Sequence, residues 1–120
     1  MNRFAIVAVL AVLGASACKQ QDKPKAEPRV EPMPAAEVQR SEEACKHYVE
    51  RVCACAEQVP DLAKQCQLAR ALPDAIRIGL EVAASPDSKP DIVQQSYASV
   101  RKTAKECIEQ TAKLPALGCP

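Results

Sequence analysis

From residue 41 onward, apolar residues recur every three or four positions, the spacing of helices that bury one face. Cys45, Tyr48, Val49, Val52, Ala56 and Val59 form the first stripe. Ser41 is placed to cap that helix, with Glu42 and Glu43 in its first turn. Pro60-Asp61 interrupts the run, and Leu62, Cys66, Ala69 and Leu72 resume it. Leu72-Pro73-Asp74 suits a helix start or a kink, after which Ala75, Ile76, Gly79, Leu80 and Ala83 continue the stripe. Ser85 to Pro90 reads as a loop. The last helix starts near Pro90-Asp91 and carries Val93, Tyr97, Val100, Ala104, Cys107, Ile108 and Thr111 on one side. Pro115, Gly118 and Pro120 then stop it, leaving a short irregular tail with Cys119. Val, Ile and Thr are not gathered into strand-like runs. The pattern predicts an all-α domain over residues 41–120: a small antiparallel bundle of three to four helices.

A core of Ala, Val, Leu and Ile in so short a segment buries limited surface and needs reinforcement. The chain of 120 residues holds seven cysteines, six of them from Cys45 onward, and these are the expected staples. On a helix, Cys53 and Cys55 are separated by about 200° and point to opposite flanks, which suits bridges to two different neighbours. Six cysteines allow fifteen pairings. A turn near Pro60 brings Cys66 opposite Cys55, with Cys53 only slightly less well placed, and Cys55–Cys66 is the expected bridge. Cys53–Cys107 and Cys45–Cys119 complete the expected set, the last with the tail running back along the first helix.

The start of the chain is of another kind. Met1-Asn2-Arg3 precedes an apolar run from Phe4 to Leu13 and then small residues, the layout of a secretory signal over residues 1–17. That run would extend only about 15–20 Å, short of a bilayer's hydrocarbon layer of ~30 Å. Ala15-Ser16-Ala17-Cys18 resembles the lipobox of bacterial lipoproteins, although Ala15 stands where that family usually has Leu. The resemblance implies a diacylglycerol on the Cys18 thiol, cleavage just before it, and acylation of the new amino terminus with a fatty acid such as palmitate. An ordinary Ala-x-Ala cut would break the same bond and leave Cys18 unmodified. Parity favours the lipid, because seven cysteines less Cys18 leaves an even six. In that family Asp after the Cys signals inner-membrane retention; Lys19 here points to the outer membrane. Residues 18–40, with Pro24, Pro28, Pro32 and Pro34 among charges of both signs, read as a disordered tether reaching ~60 Å at most.

Chemistry is sparse. Sixteen Lys and Arg balance fifteen Asp and Glu, which argues against nucleic acid as a partner. Outside the leader the aromatics are Tyr48 and Tyr97 alone, too few for base- or sugar-stacking platforms. Three glycines make no phosphate-binding loop, and a Cys–His nucleophile would need a free thiol. Glu42/Glu43 and Glu106/Glu109 read as solvated surface or partners for Lys46 and Lys102. Arg101, Lys102 and Lys105 form a modest basic edge. The expectation is a non-catalytic, membrane-anchored envelope lipoprotein with a structural or protein-interaction role and no cofactor beyond its lipid. Two alternatives stay open. Cys53, Cys55 and His47 are ligand types that periplasmic Cu(I) or Zn(II) carriers use. Without lipid on Cys18, the chain would be a small secreted effector or inhibitor.

Overall fold

The structure is a computed structural model that describes Ala26 and residues 28–120. The signal segment, Cys18, Lys19 and the first part of the expected tether lie outside these residues. Four helices, α1 (Ala35–Ala56), α2 (Ala63–Ala69), α3 (Leu72–Ala84) and α4 (Pro90–Lys113), make an all-α bundle crossed by three disulfides.

Helix α1 begins six residues before the expected cap. Pro34 adopts an extended conformation, and its carbonyl accepts from the Glu37 and Val38 amides at 2.8 and 3.0 Å. Ala35, Ala36 and Glu37 then supply a strong first turn. Ser41 caps nothing. It is buried in the second turn, and its hydroxyl donates to the Glu37 carbonyl at 2.9 Å, the alternative bond a helical Ser can make. The domain boundary therefore precedes residue 41. Met33, only 7% exposed, joins the core, and Pro28 to Pro32 lie against the end of the α3–α4 hairpin beside Ala83, Pro90 and Tyr97.

A 3-10 turn at Pro60–Leu62 reverses the chain into α2. Cys53 is bonded to Cys66, while Tyr48, earlier on α1, lines a depression with Ala69 and Leu72, later in the chain, so α1 and the arm after Pro60 are antiparallel. The Tyr48 hydroxyl also accepts from Gln65 Nε2 at 2.8 Å. The break at Arg70-Ala71 follows from Pro73, which has no amide to continue the ladder onto Ala69. Helices α2 and α3 thus form one kinked descending arm. Pro86 forces Ser85 extended and ends α3, with the Ser88 hydroxyl donating to the Val82 carbonyl at 2.5 Å. Helix α4 returns antiparallel to α3. The close approach is at Gly79, where a Cβ would meet Val100 Cγ2 at 2.8 Å and the Ser96 carbonyl at 3.6 Å.

Two reversals leave α1 and α4 parallel. Their register is nearly constant along the chain: Glu37 pairs with Arg101 across 64 residues, Cys45 with Cys107 across 62, and Cys55 with Cys119 across 64. The core between the arms holds Val52, Ile76, Val100 and Leu114, each fully or almost fully buried, with Cys45 and Cys107 at 0% exposure. After α4 a 3-10 turn at Leu114–Leu117 ends at Gly118, whose φ of 89° makes it the residue in the left-handed region among those described. There the Cys119 amide donates to the Leu114 carbonyl at 3.1 Å, the type of glycine-terminated cap that turns a chain back on its own helix. That turn buries Cys119 against Cys55.

Candidate functional site

The cysteines carry the chemistry the sequence offers. The bridges are Cys45–Cys107, Cys53–Cys66 and Cys55–Cys119. The opposed flanks of Cys53 and Cys55 do lead to two different neighbours, but every expected partner is corrected. Cys55–Cys66 gives way to Cys53–Cys66 because the flank of α1 that faces α2 carries Cys53. Cys45–Cys119 supposes a tail running back along α1, and both it and Cys53–Cys107 give way because α4 runs parallel to α1. In a parallel pair, low numbers on α1 meet low numbers on α4 and high meet high. Glu37 and Cys55 are separated by 18 residues, about five helical turns, and share one flank; Arg101 and Cys119 are separated by the same interval.

The three residues considered as metal ligands are not brought together as free donors. Cys53 and Cys55 are held in separate bridges, and His47 is exposed on α1. Among the described residues no group of three or more His, Cys, Asp or Glu side chains is placed to hold a metal ion. The four acidic residues are exposed, and the two that have partners are not paired with Lys46 or Lys102. Glu43 accepts from Gln39 at 2.9 Å, and Glu109 faces Lys105 at 3.7 Å in place of Lys102.

Arg101 is the member of the basic edge with a tertiary role. Its Nε and Nη2 donate to the two carboxylate oxygens of Glu37 at 2.6 and 3.2 Å, a two-pronged bond between α1 and α4. That hydrogen bond holds the Glu37 carboxyl below its ordinary range, and Arg40 adds to the effect. Arg101 is raised in turn, first by the same bond. The sequence pattern did not single out this pair, since Glu37 falls in the stretch read as tether.

Around it lies a furrow between the two parallel helices. A depression of about 510 Å³ is lined by Arg40, Arg101, Ala104, Lys105 and Ile108 among others. A second, of about 290 Å³, shares Ile108 and adds Ala44, His47, Ala112 and Arg51. A third, of about 150 Å³, shares Arg51 and ends over Cys55, Cys119 and Pro120. The shared residues make them one track. Ile108 stands in its middle, 60% exposed. It was expected on the buried side of α4, but there it sits at the margin of the stripe, turned from the core. No helix among the described residues is long and apolar enough to cross a membrane.

Comparison with protein-family models, with curated proteins and with solved structures finds no match to this chain.

Proposed function

We propose that the protein is a membrane-anchored lipoprotein of the bacterial cell envelope, exported by the leader over residues 1–17, held by lipid on Cys18, and non-catalytic, with a structural or protein-interaction role. One observation carries the reading. The six cysteines of the described residues pair completely with one another, so the seventh, Cys18, is left without a disulfide partner within the chain. A thiol directly after Ala15-Ser16-Ala17 is the acceptor the lipobox resemblance calls for, and acylation removes an otherwise unpaired thiol from an oxidising compartment. Two or more acyl chains, at ~0.8 kcal/mol per buried CH₂, are enough for stable anchoring. Lys19 favours the outer membrane.

Growth with labelled palmitate tests the anchor. Label should enter the full chain and vanish in Cys18→Ser, which should also leave the membrane fraction. An unlabelled wild-type chain in the soluble fraction would assign the protein to the secreted class instead.

A further inference from the structure

We propose that the furrow between α1 and α4 receives an amphipathic helix from a partner protein, one with acidic side chains along the margins of its apolar stripe, so that this helix packs along the α1–α4 pair. The inference rests on the interaction role proposed above and names its surface.

From Glu37 to Gln58 the track follows α1 for about 30 Å at 1.5 Å per residue, the length of a helix of about 20 residues. Its floor is built of Ala44, Ala104 and Ala112, side chains small enough for a third helix to approach closely. Ile108 projects from that floor and would insert between the side chains of an incoming helix. Left in water it is an exposed aliphatic group in the centre of a concave surface, where a hydrophobic anchor belongs.

Charge chooses the occupant. The chain as a whole is nearly neutral, at +1. The furrow is not: Arg40, Arg51, Arg101 and Lys105 line it against Glu37 and Glu109. Both carboxylates already face cations of the same furrow, Glu37 facing Arg101 and Glu109 facing Lys105. The positive charge that remains, on Arg40 and on Arg51, whose Nη2 donates to the Pro120 carbonyl at 2.7 Å, complements acidic margins and opposes basic ones.

A display library of helical peptides of about 20 residues, with a fixed Leu/Ala stripe and randomised margins, serves as the probe. It is selected on the full, oxidised chain. Enriched peptides should carry Asp and Glu at the margins and bind more weakly as salt rises. Ile108→Glu should lower their affinity about tenfold or more, and Arg40→Glu should lower it several-fold. Leu68→Glu is the control, since Leu68 is 66% exposed on α2, away from the furrow; it should leave binding unchanged. Circular dichroism and the disulfide count establish that each variant is folded. No enrichment, enrichment of basic margins, or equal sensitivity to Leu68→Glu would overturn the proposal. So would phosphatidylglycerol vesicles that displace the peptides, or a dimer that Ile108→Glu dissolves, each giving the furrow another occupant. Palmitate labelling is independent of all these readouts, so failure here leaves the anchor untouched.

Discussion

The parallel register of α1 and α4 can be tested by removing cysteines two at a time. Three double variants match the bridges: Cys53→Ala/Cys66→Ala, Cys45→Ala/Cys107→Ala and Cys55→Ala/Cys119→Ala. A crossed variant, Cys53→Ala/Cys107→Ala, takes one cysteine from each of two bridges. The Cys53–Cys66 loop of 13 residues stabilises by about 3 kcal/mol through loop-closure entropy. Taken alone, a loop of 62 or 64 residues is worth about 4 kcal/mol. The two long loops interlock, however. With one closed, the path between the ends of the other shortens to roughly 20 residues, and its worth falls to about 3 kcal/mol. Each matched variant should therefore lose about 3 kcal/mol, or roughly 12–24 °C in Tm for a domain of this size. The crossed variant should lose about twice as much. Thermal melts by circular dichroism measure the loss, and intact mass under non-reducing conditions counts the bridges. Matched variants should keep two of three, the crossed variant one native bridge. If the crossed variant is no less stable than a matched one, or if a matched variant loses two bridges, the register and the fold built on it are wrong.

Gly79→Ala should destabilise by about 1–3 kcal/mol, because the new methyl meets the almost fully buried Val100 at 2.8 Å; Gly79→Ala/Val100→Ala should recover part of that in chemical denaturation. A chain beginning at Ser41 should melt well below one beginning at Pro28, since it lacks Met33, the first turn of α1 and Glu37; equal melting temperatures would return residues 28–40 to the tether. The Glu37 carboxyl is lowered by Arg101. Its contribution to stability is thus present above the ordinary carboxylate pKa of about 4.5 and is lost as pH falls through the lower folded value. Glu37→Gln should lower stability at pH 7 and flatten the acid limb of a stability–pH profile, with little difference from wild type at pH 2.

The helices were largely legible in the chain. Val52, Ile76, Val100 and Ala104 were placed on buried faces by their spacing, and they are buried. Pro60, Pro73, Pro86 and Pro90 mark breaks and starts because a missing amide and a restricted φ act locally. The beginning of α1 was misread at Ser41, where Ser-Glu-Glu imitates a cap. The true start depends on Glu37 reaching Arg101 and Met33 reaching the core, contacts between segments far apart in sequence.

What the amino-acid order determined by itself was the helical class, the punctuation, and the fact that Cys53 and Cys55 serve different neighbours, since each depends on residues within a few turns of one another. The tertiary structure decided which neighbours those are. Periodicity reports which face of a helix is buried, but not which arm covers it or in what direction that arm runs. Only after the chain has reversed twice are α1 and α4 parallel, and that polarity sets Cys45 against Cys107, Cys55 against Cys119, and Arg40 and Ile108 along one furrow.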